Sequence, residues 1–458
     1  MTKLRMILAI LAGRAVRLLS RLLHRGGTDM PGRIALKLCP QLLRLLAAEV
    51  KSLAITGTNG KTTSARMIEE AFREAGLSYF ANRSGANLIS GITTEFIMNA
   101  DWRGRPRKEY AVIECDEAAA KKVFGQLRPR VVVVTNLFRD QLDRYGEVTH
   151  TLANIREAMG GAPEAVLCLN ADCSLTASLA GDLPNRVVWY GVNKGAAPSR
   201  PKPAISDATH CIRCKTEYEY DYITYGHLGG FRCPHCGYRR PKADVAVTAV
   251  TEQRADGSTV VVELGGERRV VDINLPAMYN IYNAVGTLAG VTAMGVAADT
   301  AIAALGRFSC GFGRMEQFKL GQKGARMMLV KNPAGCNQVL EFLETISDPF
   351  ELVVCLNDRH ADGTDVSWIW DAEFEALGRL GSRLKRVIVS GDRAGDMRVR
   401  IKYAGVPDGC ITVERDYEKL VRMLEQAEDT VFLMPTYTAM LELRQTVIRH
   451  VGGAEFWE

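Results

Sequence analysis

Long apolar runs are missing from this sequence. The best early one, Met6 to Ala12, is followed closely by Arg14 and Arg17, well short of the ~18–20 residues a membrane span needs. No small-residue cleavage site follows it convincingly, so it does not read as the apolar part of an export signal. Cysteine is sparse as well: twelve in 458 residues are too few for a disulfide scaffold. Eight of the twelve are scattered, as in a reducing cytoplasm. A positive surplus is absent from most of the chain. Lys and Arg number 58 against 52 Asp and Glu, but nine of the cations (Lys3, Arg5, Arg14, Arg17, Arg21, Arg25, Arg33, Lys37, Arg44) and only Asp29 and Glu49 fall in the first 50 residues, leaving the remaining 408 at −1. That balance argues against a nucleic-acid-binding body. With 47% hydrophobic and 24% charged residues, the chain has the composition of a globular protein of about two to four domains.

Residues 1–50 read as two helices broken at Gly26-Gly27-Thr28 and Pro31-Gly32. Arg14, Arg17, Arg21 and Arg25 recur at three- and four-residue spacing, with Leu11, Leu18, Leu19, Leu22 and Leu23 opposite them. Two readings stay open: a helix docked by its leucines on its own protein, or a basic amphipathic surface touching anionic lipid as a peripheral membrane contact.

An α/β rhythm starts at Lys51. Short β-rich runs (Ser52–Thr56, Tyr110–Cys115, Val131–Thr135, Ala165–Asn170, Val187–Tyr190) alternate with helix-length stretches, which predicts a mostly parallel, doubly wound sheet. A tether over 193–210 leads to an insert at about 205–242, followed by strands Asp244–Thr251 and Thr259–Leu264 and helices from Tyr279 and Asp299. A second α/β series has strands at Met327–Lys331, Leu352–Asn357, Arg386–Ser390, Ile411–Val413 and Val431–Met434. The expected domains are a helical segment at 1–50, a nucleotide-binding domain at 51–316 and a C-terminal domain at 317–458.

Gly57-Thr58-Asn59-Gly60-Lys61-Thr62-Thr63 follows a strand and opens a helix. In that context backbone N–H groups and the helix N-terminus favour phosphate, Lys61 adds a full charge, and the Thr62 hydroxyl can ligate Mg²⁺. Downstream lie Val112-Ile113-Glu114-Cys115-Asp116-Glu117, Thr135-Asn136 with Asp140-Gln141-Leu142-Asp143, Tyr279-Asn280-Ile281-Tyr282-Asn283, and Gly311-Phe312-Gly313-Arg314-Met315-Glu316. Each is a weak signal alone; in this order they resemble the Mur ligase superfamily of ATP-dependent amide-forming enzymes. The resemblance implies Glu114 as a magnesium ligand, Asn280 and Asn283 as contacts to adenine and phosphate, and Arg314 as a residue near the nucleotide. Gln141 stands where that superfamily usually has histidine, which puts a metal contact there in doubt.

Cys211-x2-Cys214 and Cys233-x2-Cys236 are separated by eighteen residues and have the spacing of a four-thiolate zinc ribbon. A closed four-Cys shell leaves no position for substrate, so the expected zinc is structural. His210, His227 and His235 lie nearby and read as solvated loop residues.

Only 56 residues precede Gly57, too few for the uridine-nucleotide domain that ordinary Mur ligases carry there, so the substrate is not expected to be gripped through a UDP group. Leu356-Asn357-Asp358-Arg359-His360-Ala361-Asp362-Gly363-Thr364-Asp365, continuing to Trp368, Trp370 and Asp371, packs acids and tryptophans behind a strand. With the zinc ribbon, this segment resembles the MurT family, the synthetase subunits of lipid II isoglutaminyl synthase. The resemblance implies phosphorylation of the D-isoglutamate α-carboxylate of lipid II by ATP and Mg²⁺, then attack by ammonia, in the cytoplasm at the inner membrane face. The chain has no G-x-C-x-G nucleophile elbow, and Cys336 reads as a packing residue. The ammonia is therefore expected from a separate GatD-type glutaminase, whose histidine Asp358, or failing that Asp365 or Asp362, would orient. The rivals are a stand-alone amino-acid ligase of the folylpolyglutamate kind and a zinc-ribbon NTPase on nucleic acid.

Overall fold

Alternation of β-rich and helical stretches produces two mostly parallel sheets, one in each of two units. The computed structural model describes residues 2–22, 28–82, 86–139, 148–181, 183–201, 207–254, 256–309 and 314–452. The first unit runs to Phe138 and includes Val148–Asn274 and Met278–Phe308; the second holds Ser309 onward, Leu275–Ala277 and Arg139.

The first unit opens with helices α1 (Thr2–Leu22), α2 (Met30–Leu38) and α3 (Leu42–Ala47). Its strands are β1 (Lys51–Thr56), β2 (Tyr79–Ala81), β3 (Tyr110–Glu114), β4 (Val131–Val134), β5 (Val166–Asn170), β6 (Val187–Val192), the insert hairpin β7 (Glu219–Tyr225) and β8 (Leu228–Arg232), then β9 (Val245–Gln253), β10 (Ser258–Leu264) and β11 (Glu267–Ile273). The nine-stranded sheet has the order β11-β10-β9-β6-β5-β4-β1-β3-β2, parallel from β2 to β9 and antiparallel through β10 and β11. Its central strands are continuous apolar runs, such as the four buried valines of β4, because helices cover both faces. Those helices are α4 (Lys61–Glu74), α5 (Ile89–Met98), α6 (Glu117–Leu127), α7 (Val148–Gly160), the short α8 (Ser174–Ala177), α9 (Met278–Ala293) and α10 (Ala298–Arg307). β3 and β4 flank β1 on opposite sides, so the order reverses at β1, and ligands in open α/β sheets bind beyond the strand C-termini at such a reversal.

The N-terminal segment departs from expectation twice. It holds three helices, and Pro31-Gly32 starts α2 rather than breaking the chain: Pro31 occupies the first turn, where its missing N–H costs nothing. Gly32 is buried against α5, its N–H donating to Thr94 Oγ1 at 2.8 Å; a Cβ there would meet Ser90 O at 1.8 Å. α1 is also turned the other way from the leucine-in reading. Its small residues Ala9 and Gly13, with Ile10, face inward, and Arg14 donates to the carbonyls of Ile97 and Ala100 near the end of α5. The leucines face outward.

The second unit contains β12 (Arg314–Phe318), β13 (Ala325–Met328), α11 (Pro333–Glu344), β14 (Phe350–Cys355), α12 (Glu375–Arg379), β15 (Leu384–Ser390), α13 (Ala394–Tyr403), β16 (Ile411–Val413), α14 (Tyr417–Glu425), β17 (Thr430–Pro435) and α15 (Tyr437–Val451). Its sheet order is β12-β13-β17-β14-β15-β16, with only β12 antiparallel. Phe318, Met327, Ile388, Leu424 and Leu443 belong to its core. At one edge, Arg444 of α15 forks onto both carboxylate oxygens of Glu316 at 2.8–3.1 Å.

Candidate active site and metal centre

Three parallel strand ends converge on the phosphate loop. Gly57 leaves β1 at φ +120°, and a Cβ on it would meet Thr135 Oγ1 at 2.4 Å and Asn136 O at 2.8 Å, beyond the end of β4. Gly60 caps α4 at φ +87°, against Asn283 of α9, whose Oδ1 a Cβ would approach to 2.1 Å. Asn136 fixes the turn between them by accepting from Asn59 N (3.0 Å) and donating to Asn59 O (3.1 Å), while its carbonyl accepts from Thr58 N (2.9 Å). The Thr58 hydroxyl exchanges bonds with the backbone of Phe138. Asn283 in turn donates to Asn280 at 3.2 Å. The loop and the TN pair, singled out separately in the sequence, are therefore one hydrogen-bonded body, and the NxxN helix packs closely against it at Gly60.

Lys61 opens α4 and points back over the loop. Its Nζ donates to Gly57 O (2.6 Å), Thr58 O (3.3 Å) and Glu117 Oε1 (2.8 Å). Burial opposes its charge, but Glu117, then Glu114 and Asp116, outweigh that penalty and hold the ammonium above its ordinary pKa. Glu114 ends β3 as a buried residue whose backbone is gripped on both sides by the Asn82 amide. Asp116 caps α6, accepting from Ala118 N. Cys115, among the same acids, is driven well above the usual thiol range by burial, so it is no nucleophile. Thr62 lies half-buried one residue into α4, and Thr63 is buried. Glu117 was not anticipated; the acid-rich run ending β3 was the one signal for it.

Behind this site Asp172, fully buried, accepts from Arg240 Nε (2.6 Å), Val192 N (2.8 Å) and the Tyr282 hydroxyl. Burial raises its pKa, and the Arg240 charge and the donors oppose that rise. Tyr282 sits between Asn280 and Asn283, and Arg240 follows the second cysteine pair by four residues, so this carboxylate ties the insert to the NxxN helix. His227 is the clearest departure among the loop histidines. It is buried at the β7–β8 turn, 3.3 Å from Cys173 Sγ, its ring tilted at 51° to that of Phe138 with centroids 4.5 Å apart. Burial works against both charges, yet their mutual attraction lowers the Cys173 thiol and raises His227.

The four cysteines come together: Sγ atoms of Cys211, Cys214, Cys233 and Cys236 all lie within 4.8 Å of one another. Two matching knuckles deliver them. In the first, Lys215 N donates to Cys211 O and Cys211 N to Thr216 O; in the second, Gly237 N donates to Cys233 O and Cys233 N to Tyr238 O. The residue after each pair takes positive φ, Lys215 at 64° and Gly237 at 73°. Hydrogen bonding with Thr216 holds the Cys214 thiol down to about 5, whereas at Cys236 the Tyr238 backbone bond is outweighed by burial and the neighbouring sulfurs, which push its thiol up. Spacing, geometry and a sulfur-only donor set fit a tetrahedral zinc ion, for which ~2.3 Å bonds place sulfurs just under ~4 Å apart. Tyr218, Phe231 and Tyr238 pack beneath the cysteines, and Tyr238 donates to Ser174 O.

In the second unit the acids behind β14 have separate fates. Asp358 is about one-third exposed and pairs with Arg393 at 2.9 Å. Asp362 is buried, accepting from both N–H and hydroxyl of Thr438 at the start of α15. Asp365 is exposed and accepts from Ser367 N. Trp370 is half-exposed against Tyr403 and Arg400, and Asp371 pairs with Arg139. Cys336 is buried on α11 with its thiol pushed far up by burial, a packing residue. Gln141, Asp143 and Gly311–Gly313 lie outside the described residues, as does the side chain of Arg314.

Comparison with known proteins decides the family. The Mur ligase middle domain matches residues 55–221, and the MurT ligase C-terminal domain matches residues 329–440. The MurT subunit of the glutamine-hydrolyzing lipid II isoglutaminyl synthase of Streptococcus pneumoniae is 32% identical over 96% of this chain and 97% of its own length. This chain belongs to the MurT family. The Staphylococcus aureus MurT subunit is equally similar, at 32% over 98% of this chain and 99% of its own. Solved structures agree on the fold: a pseudomurein peptide ligase type C from Methanothermus fervidus (TM-score 0.64, 20% identity, 88% of this chain and 79% of that one) and MurF from Acinetobacter baumannii (TM-score 0.65, 15% identity, 91% and 80%). As a MurT-family member the chain is an enzyme of Mur ligase type, and its four-cysteine cluster, compatible with zinc, lies in an insert of its α/β domain.

Proposed function

We propose that this chain is the synthetase subunit of a two-chain enzyme that amidates the D-isoglutamate α-carboxylate of lipid II to D-isoglutamine. Near full-length similarity to proteins named for that activity carries the reading, and the convergence of Lys61, Glu114 and the phosphate loop at the sheet's reversal supports it.

A carboxylate is a poor electrophile. Its oxygen attacks the γ-phosphorus of ATP, ADP leaves, and the acyl phosphate has a good leaving group. Ammonia then attacks the carbonyl carbon, phosphate departs, and the nitrogen sheds a proton. Gly57, Thr58, Asn59 and Gly60 shape the turn beneath the β- and γ-phosphates, Thr58 and Asn59 through their bonds to Asn136 and Phe138; the first turn of α4 with Thr63 supplies donors, and Lys61 is the fixed cation. Asn280 and Asn283 line the nucleotide from α9, and Arg314 is assigned to the same region. Thr62 and Glu114 are an oxygen set suited to Mg²⁺, which supplies charge neutralisation on the transferring phosphoryl group. Cys211, Cys214, Cys233 and Cys236 hold zinc as a structural ion.

Free ammonia is scarce at neutral pH, and a GatD-type glutaminase partner supplies it. Asp358 is the carboxylate assigned to orient that partner's histidine: Asp362 is occupied by Thr438, whereas Asp358 is partly exposed and held by a single ion pair. The reaction is assigned to the cytoplasm at the membrane's inner face, with no nucleic-acid partner. The test is ATP-dependent conversion of lipid II by the copurified pair, followed by mass spectrometry, with glutamine or ammonium as donor. ATP turnover that requires an added amino acid instead would replace this reading with a stand-alone ligase.

A further inference from the structure

The outward face of α1 has no apolar cover among the described residues. Leu4, Leu8, Leu11, Leu18, Leu19 and Leu22 are 48–68% exposed, far beyond what a helix docked by its leucines would show. With Ala15 they follow i, i+4, i+7 spacing, one stripe about 100° wide along 21 residues. The helix contains no Asp or Glu. Lys3 and Arg21 border the stripe on one side and Arg5 on the other, all exposed, at the angular position from which long cationic side chains reach a headgroup layer while the stripe sits deeper.

A second element, remote in sequence, repeats this chemistry. The turn after α5, Asp101-Trp102-Arg103-Gly104-Arg105-Pro106-Arg107-Lys108, packs on α1: Gly104 leaves so little room that a Cβ would meet Met6 Sδ at 3.0 Å. It carries a half-exposed Trp102 with the Arg103 guanidinium 4.5 Å from its ring, and Arg105, Arg107 and Lys108 are exposed beside it. An amphipathic aromatic among cations is the side-chain set of membrane–water interfaces.

From these two elements we infer that α1 and the 101–108 turn form a surface that lies in the headgroup region of an anionic bilayer, the leucine stripe inserted and Lys3, Arg5, Arg21 and the turn's cations on lipid phosphates. Charge selects this occupant. A second copy of the chain would bring two rows of cations together with no acid on the helix to answer them. No helix among the described residues is long and apolar enough to cross the membrane, so the contact lies in the plane of the surface. The inference extends the proposed action on a lipid-linked substrate but stands on the exposed faces alone.

The test is cosedimentation of the full chain with vesicles of equal phosphatidylglycerol and phosphatidylcholine, and with phosphatidylcholine alone, without nucleotide or lipid II. Binding to the anionic vesicles is expected, weakening with salt. The Leu11→Gln/Leu18→Gln double variant should lose more than about tenfold in affinity. Trp102→Ala and Lys3→Gln/Arg5→Gln/Arg21→Gln should each lose severalfold, with nucleotide binding unchanged as a check on folding. Absence of anionic-vesicle binding, or binding indifferent to the leucines, overturns the inference. So does a chain dimer, or a complex with the glutaminase, that the leucine substitutions dissociate. Because turnover is not read, failure here leaves the proposed amidation standing, and failed amidation leaves this surface standing.

Discussion

Lys61 Nζ stands 2.8 Å from Glu117 Oε1, with both side chains at most one-tenth exposed. The nucleotide loop's only full positive charge is thus already paired, and an arriving phosphate has to compete with a carboxylate for it. Glu117→Gln removes the competitor. Nucleotide affinity measured without added Mg²⁺ should rise severalfold, while thermal stability falls by about 2 kcal/mol, less than the ~3–5 typical of breaking a buried pair because Glu114 and Asp116 still face the ammonium. Weaker nucleotide binding would instead make Glu117 the residue that positions Lys61.

Lys61→Ala should abolish amidation with glutamine and with ammonium alike, since both need the acyl phosphate. Product formation from saturating ammonium by the variant would refute the phosphorylation mechanism.

Cys211→Ser with Cys233→Ser removes one thiolate from each knuckle. Zinc content by metal analysis should drop to background, and the thermal midpoint should fall, because a closed tetrahedral site contributes folding free energy. A wild-type protein purified without zinc, its four thiols freely titratable in the native state, would contradict the assignment.

Asp358→Asn should separate the two half-reactions. Glutamine-dependent amidation falls steeply, on the order of 10³–10⁴-fold by analogy with loss of the orienting acid in a serine-protease triad, whereas saturating ammonium restores product. Loss of the solvent-screened pair with Arg393 should change stability little. Equal loss with both donors would move Asp358 out of the partner's site.

His450 contacts Glu418 and Glu425, each at 2.8 Å, linking α15 to α14. Those bonds raise its pKa above 6.5, so its stabilising contribution is complete below that value and disappears as pH rises through the folded-state pKa. Glu418 is lowered by the same bond, and its contribution disappears as pH falls through its depressed pKa. The C-terminal unit should therefore lose a small part of its stability between mildly acidic and alkaline pH. His450→Gln should flatten that part of the midpoint-against-pH curve.

Much of the first unit was legible because its signals are local. β1 and the glycines at 57 and 60 are adjacent in sequence, and the Cys-x2-Cys pairs specify their own knuckles. The relationships that sequence did not yield join distant residues: Lys61 to Glu117, Asp172 to Arg240 and Tyr282, Cys173 to His227. His227 reads as a loop residue because it occupies a turn, but tertiary packing buries that turn under Phe138. The orientation of α1 stayed open in the sequence for a related reason. Periodicity shows that a helix has two faces, not which one is docked, and the small residues Ala9 and Gly13 permit a closer approach than leucines would. β11 and β12 were missed because both are partly exposed antiparallel edge strands with polar residues among their apolar ones.

The close approach of Gly60 to Asn283 has a consequence for the timing of order in this enzyme. Where a phosphate loop is free, each binding event must freeze its backbone, and affinity is diminished by that lost freedom. Here the loop is held from one side by hydrogen bonds to Asn136 and from the other by close packing on α9, contacts that belong to the fold itself. Its conformational entropy is surrendered once, during folding, and every later ATP meets a rigid mould.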